Sequence, residues 1–203
     1  MSLHRELKYS VKNYDKGEKI YSANQKAEGF FFLESGLVAL YRNTESGKEH
    51  LMRVYGPGDY FGFRSLFSDE QYHLTTRSLL SSSVHHIKAA GIDSLDVMSP
   101  TMLKALLSNV CHELGEAEAR LSNVAAYSAK VRIIDAIVCL FTRFSHYPWT
   151  SREVAEYSGT DTQTVIRYSK YLKEQNFLDP KERKIKPVDI NSLISLREDM
   201  ILK

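Results

Sequence analysis

The chain has 203 residues, 43% hydrophobic and 26% charged, with 27 basic and 25 acidic side chains and a net charge of +2. That length supports one large domain or two small ones, and the balanced charge gives no bulk case for nucleic-acid binding. The start, MSLHRELKYSVKNYD, is polar throughout and no apolar run nears the roughly 20 residues of a membrane span, so a cytoplasmic protein without signal peptide or membrane contact is expected.

From about residue 10 to 97 the chain reads as β. FFFLESG (30–36), LVALYRN (37–43) and EHLMRVY (49–55) are rich in β-branched and aromatic residues. Turn signals separate them: Asp15-Lys16-Gly17, Glu34-Ser35-Gly36, Glu45-Ser46-Gly47 and Gly56-Pro57-Gly58-Asp59. Such spacing predicts a sandwich, jelly roll or barrel, to which TTRSLLSSSVHHIKA (75–89) adds one or two strands. Within it, GDYFGFRSLF (58–67) looks made for a small ligand, because Gly58 and Gly62 allow a turn or a close backbone approach.

At Ser99-Pro100 the period changes. Leu103, Leu107, Val110, Leu114, Ala117, Leu121, Val124, Ser128 and Val131 alternate at spacings of four and three, an a/d seam of about four heptads. No proline interrupts it, and so narrow a stripe predicts a long helix that pairs with one partner helix. A long helix packed on its own domain is the plainer alternative. Two cysteines, Cys111 and Cys139, are too few for an iron–sulfur cluster and lack zinc spacing, so both are expected to be packing residues.

The third segment starts near Tyr147-Pro148-Trp149 and predicts two short helices, a β-hairpin over FLDPKERKIKPV (177–188) and a last helix from about Asn191. Thr150-Ser151-Arg152-Glu153 is a capping box that opens SREVAEYS, and Gly159 suits a left-handed stop. Thr160-Asp161-Thr162-Gln163 caps the next helix, which buries Val165, Ile166, Tyr168 or Leu172. Ala155, Gly159 and Val165 supply the small residue, turn and anchor of a helix-turn-helix. In that motif the start of the second helix faces base edges. The candidates are Thr162, Gln163, Thr164, Arg167 and Lys170, with Arg152 on the first helix; Gln pairs with adenine and Arg with guanine or phosphate. Lys181, Arg183 and Lys184 on the hairpin, with Lys186 beside them, would grip phosphate as a wing does. A solvated helix pair without a DNA role is the alternative.

The whole chain resembles the cyclic-AMP receptor protein (Crp/Fnr) family of bacterial transcription regulators. YDKGEKIYSANQKAEGFFFLESGLVALYRNTESGKEHLMRVYGPGDYFG is similar to its β-roll, the seam to its dimer helix, and TSREVAEYSGTDTQTVIRYSKYLKEQNFL to its winged helix-turn-helix. The resemblance implies an α+β chain: a double-stranded, jelly-roll, cyclic-nucleotide-binding-like sensor over 1–98, a long dimer helix and following helix over 99–146, and a winged helix-turn-helix over 147–203. It implies a homodimer on a near-palindromic DNA operator, with RNA polymerase as a further partner, and no enzyme activity. Members often carry Arg-Glu or Glu-x-x-Ser-Arg on the recognition helix. Here Thr162 and Gln163 take the first two positions and Arg167 the last, which implies a different operator or weaker base discrimination.

The sensor departs further. Where cyclic-nucleotide-binding members carry the glutamate that meets the ribose, this chain has Phe63. The arginine and hydroxyl that meet the phosphate align with Tyr72 and His73, and the Thr-Ser pair that reaches the base aligns with Ala117-Glu118. Burying a phosphate without a cation or donors costs several kcal/mol. Gly62, Phe63, Arg64, Tyr72, His73 and Leu74 thus outline a degenerate effector pocket, with no cofactor expected, the effector unknown or absent, and cyclic AMP not the expected one. Two rival readings stay open: a cyclic-nucleotide regulator whose phosphate site is rebuilt from Arg64 and His73, and a protein-interaction scaffold with a degenerate helix-turn-helix. His85 and His86 are adjacent in a strand and face opposite sides, which argues against a shared metal.

Overall fold

The computed structural model describes residues 4, 7–45, 47–68, 71–89, 96 and 98–202; Ser46 of the third turn signal lies outside them. The chain divides into two compact units, Met1–Ala117 and Glu118–Lys203. Among the described residues of the first, eight strands run β1 Tyr9–Tyr14, β2 Lys19–Tyr21, β3 Gly29–Ser35, β4 Val38–Asn43, β5 Glu49–Tyr55, β6 Tyr60–Phe61, β7 Thr75–Ser78 and β8 Ser82–Lys88. They form two antiparallel four-stranded sheets, β1-β8-β3-β6 and β2-β7-β4-β5.

Side chains alternate across a strand, so one face of each sheet meets the other sheet. Tyr14, Tyr21, Phe31, Leu33, Val38, Leu40, Tyr55, Phe61 and Val84 fill that space. The first sheet is covered on its other face as well. There Phe30, Tyr60 and Ile87 pack with Phe63 and Leu66 of a 3₁₀ turn (Phe63–Phe67) and with Met102 and Leu106 of α1, Pro100–Ala126. Two buried faces explain why FFF replaces an apolar–polar alternation in β3. The glycines at the 58–67 corner serve different needs. Gly58 turns at φ +96° in open space, whereas at Gly62, φ +77°, a Cβ would sit 3.1 Å from the Phe31 ring.

The seam ends earlier than its spacing predicts. α1 stops at Ala126, and Ser128 caps α2 (Ala129–Phe144) by accepting the Val131 amide, so Ser128 and Val131 leave the seam and Val131 is buried in the second unit. A serine with extended backbone favours a cap over a helix interior, and this local choice overrides the heptad. The packing role expected of Cys111 also fails: it is exposed on α1, away from the face that holds Met102 and Leu106, while Cys139 is half-buried with Sγ 3.1 Å from the Tyr157 hydroxyl.

In the second unit α2 packs against α3 (Ser151–Ser158) and α5 (Ile190–Ile201), with α4 (Thr162–Glu174) against α3. The core stripe of α2 includes Ile133, Ile134, Ile137 and Leu140. An Arg197–Asp135 ion pair ties α5 to α2. Trp149 is fully buried, its indole donating to the Phe144 carbonyl at 3.2 Å and packing edge-on to Tyr147. The 177–188 hairpin is reduced: one bridge, Leu178 with Pro187, replaces paired strands. Pro180 and Pro187 each lack a ladder donor, which keeps the pairing short.

Candidate effector cavity and nucleic-acid interface

The six residues expected to outline an effector pocket lie together. Gly62, Phe63, Arg64, Tyr72, His73 and Leu74 line one cavity with Tyr21, Leu40, Tyr55, Ser65 and Glu113. Its volume is about 30 Å³, space for a water or two at about 10–15 Å³ each. Tyr72 is buried, stacks on Tyr21 at 3.9 Å between ring centroids and donates to the Gly29 carbonyl at 2.9 Å. Burial raises the phenol pKa values of Tyr21 and Tyr72 far above the ordinary range, so both stay neutral. Phe63 is buried and points into the core shared with α1, whereas Arg64 next to it is exposed. His73 is exposed too, with Nε2 3.2 Å from the Ser68 hydroxyl.

Glu113 is the residue that sequence reasoning missed. It is 9% exposed and reaches the cavity from α1, while Ala117 and Glu118, the positions aligned with the base-reaching pair, are both exposed. Arg53 on β5 meets the Glu113 carboxylate at 2.6 Å, donates to its backbone carbonyl at 3.0 Å and lies 3.2 Å from Glu116. Tyr55 donates its hydroxyl to Glu113 Oε1 at 3.1 Å. Burial opposes the Arg53 charge, but Tyr55, Glu113 and Glu116 outweigh it and leave its pKa raised. Burial, with the Glu113 charge behind it, also pushes the Tyr55 phenol well up. Glu113 thus stands on the cavity wall with its charge matched by Arg53 behind it. One signal was available: Met102, Leu106 and Glu113 are spaced four and seven apart, on one helical face.

His85 and His86 do face opposite sides. His85 Nδ1 lies 2.8 Å from Nε2 of the buried His4, whose Nδ1 is 3.0 Å from the Tyr60 hydroxyl. His86 stacks on Phe31 at 4.7 Å. Among the described residues no group of three or more His, Cys, Asp or Glu is arranged to hold a metal.

The helix-turn-helix forms from the signals expected of it. Thr150 accepts the Glu153 amide at 3.2 Å while Glu153 accepts the Thr150 amide at 2.8 Å. Gly159 stops α3 at φ 65°, and Asp161 caps α4 by accepting the Thr164 amide at 2.8 Å. Hydrogen bonds from the Thr164 hydroxyl and amide hold the Asp161 carboxyl below its ordinary pKa. Ala155 and Val165 are buried anchors.

Gln163, Arg167 and Lys170 line the exposed face of α4, with Thr162 half-buried at its start. Thr164 is tied into the cap through its hydroxyl, 2.6 Å from Asp161, and Arg152 is exposed in a 2.7 Å ion pair with Glu156. Lys181, Arg183 and Lys184 are exposed on the reduced hairpin, while Lys186 pairs with Glu182 at 2.9 Å. One assignment is corrected: Ile166, placed in the core by its residue type, is 48% exposed. Val165, Tyr168, Ser169 and Leu172 form the buried stripe, and Ile166 points about 100° away from Val165.

Comparison with known proteins agrees with this architecture. Two Crp/Fnr-type structures cover nearly the whole fold: FixK2 from Bradyrhizobium japonicum (TM-score 0.78, 21% identity, 94% of this chain and 98% of that one) and a Crp/Fnr-family regulator from Thermus thermophilus (0.78, 20%, 94% and 100%). The fold is therefore that of a Crp/Fnr transcription regulator. Residues 11–95 match the cyclic nucleotide-binding domain family. An uncharacterized protein of Haemophilus influenzae is 34% identical over 103 residues, which span 51% of this chain and 80% of that protein. The transcriptional activator FnrA of Stutzerimonas stutzeri is 22% identical across 89% of this chain and 78% of its own, and the cAMP-activated regulator CRP of Pasteurella multocida 24% identical across 83% and 85%. The chain belongs to the Crp/Fnr family of transcription regulators, which are not enzymes.

Proposed function

We propose that this chain is a cytoplasmic, homodimeric DNA-binding regulator that grips a near-palindromic operator through α3 and α4, and that its β-roll does not respond to cyclic AMP. The exposed face of α4 carries the DNA reading: Gln163, Arg167 and Lys170 follow a Gly turn on a well-capped helix whose opposite face is core. Side chains able to read adenine and guanine edges stand where a recognition helix presents them. Lys181, Arg183 and Lys184 supply phosphate grip nearby in sequence.

For the dimer, the support is along α1. Leu107, Leu114, Leu121 and Val124 form an apolar line, 73% exposed at Leu121, that a second copy of the helix would cover. For the effector, the support is the cavity: about 30 Å³ of space, with Phe63 and Tyr72 at the positions aligned with the ribose glutamate and the phosphate arginine, and with Glu113, whose charge Arg53 already matches, on its wall. RNA polymerase is the further partner that such a regulator would contact.

The test is selection of bound duplexes from a random DNA pool, with and without cyclic AMP. A palindromic motif recovered equally in both supports the reading. Recovery only with cyclic AMP would favour the rival in which Arg64 and His73, both at the cavity rim, hold the phosphate. That rival requires saturable cyclic AMP or cyclic GMP binding that disappears in Arg64→Ala. No specific duplex at low salt would leave the scaffold reading, in which Gln163→Ala with Arg167→Ala has no cellular effect.

A further inference from the structure

Ile166 breaks the chemistry of an otherwise polar helix face. Gln163, Ile166, Arg167 and Lys170 lie within an arc of about 100° at 3.6 residues per turn. The other two aliphatic residues of α4, Val165 and Leu172, are fully buried, whereas Ile166 is 48% exposed. A single exposed isoleucine is ordinary on a protein surface. This one is bracketed by an adenine-reading amide one turn before it, a guanidinium beside it and an ammonium one turn after. A duplex that meets Gln163 and Arg167 in the major groove would bring these methyl groups toward the same groove.

Only one base offers an apolar group in the major groove: thymine, through its 5-methyl. The rise from residue 163 to 166 is about 4.5 Å, close to one base-pair step of about 3.4 Å. We propose that Ile166 is a specificity residue that reads a thymine methyl in the base pair next to the one Gln163 contacts. This rests on the DNA-binding reading above and adds to it a base preference within each half-site.

Uracil differs from thymine only by that methyl, so it isolates the contact. Operator duplexes from the selection would carry uracil in place of each half-site thymine in turn, on either strand, with affinity for the full-length protein measured at fixed salt. Burial of a methyl is worth about 0.8 kcal/mol, or roughly fourfold in affinity, so the matching change in both half-sites should weaken binding about 15-fold. Ile166→Ala should bind thymine and uracil duplexes equally while keeping the guanine preference that Arg167 supplies. Its side chain is exposed, so its melting temperature should match the parent and exclude a folding defect. A wild-type protein indifferent to uracil at every position overturns the inference alone, as does an equal uracil penalty in Ile166→Ala. Absence of any specific duplex overturns the DNA-binding reading and this inference with it.

Discussion

Arg53→Met removes the guanidinium from a nearly enclosed site and leaves Glu113 facing the cavity wall without its 2.6 Å partner. The two side chains are 13% and 10% exposed, so solvent screens the orphaned charge only slightly. Removing one member of a buried pair costs about 3–5 kcal/mol, and the residual exposure argues for the lower end, about 3. With a urea slope of about 2 kcal/mol/M, the unfolding midpoint of the first unit should fall by about 1.5 M. Far-UV circular dichroism at fixed protein concentration reports both units, and fluorescence of the single tryptophan, Trp149, follows the second unit alone as an internal control. Replacing both residues, Arg53→Met with Glu113→Met, removes the uncompensated charge and should recover most of the loss. A shift below about 0.3 M in the single variant, or a double variant as unstable as the single, would refute the assignment of Arg53 and Glu113 as a mutually dependent pair.

Two further outcomes are expected. His86 has its pKa lowered, chiefly by burial and also by Lys88, with Glu28 opposing, and its Nε2 has no hydrogen-bond partner among the described residues. Its unfolded form therefore takes up a proton at higher pH than the folded form, so stability falls as pH drops through about 6.5 and the loss is complete below the depressed folded value. His86→Phe, which keeps the stack on Phe31, should flatten that part of the pH–stability profile; an unchanged difference curve between pH 7.5 and 5 would exclude His86 as its source. Leu114→Glu with Leu121→Glu places charge on the exposed line of α1 and should yield a monomer in sedimentation velocity without changing far-UV circular dichroism. A variant that still sediments as a dimer would refute the contact along α1.

Much of this was legible in the chain itself, wherever a local rule and the global packing agree. The capping box at Thr150, the left-handed Gly159 and the Asp161 cap act within a few residues, so reading them needs no tertiary context. Glycine-marked turns likewise announced the strands of the roll. The misreadings occur where two local rules compete. Heptad spacing carried the seam to Val131, but Ser128 satisfies a helix start and breaks it after Ala126. Residue type placed Ile166 in the core, although its angle from Val165 turns it outward.

Sequence alone determined the order of elements and the helix-turn-helix, because each depends on periodicity, capping or a turn residue at one position. Only the tertiary structure decided which distant side chains stand at the cavity. Arg53 and Tyr55 on β5 and Glu113 on α1, as much as 60 residues apart, meet because buried packing forces those elements together. A contact of that range leaves no local pattern, since its energy arises from enclosure, and enclosure exists only after the chain has folded.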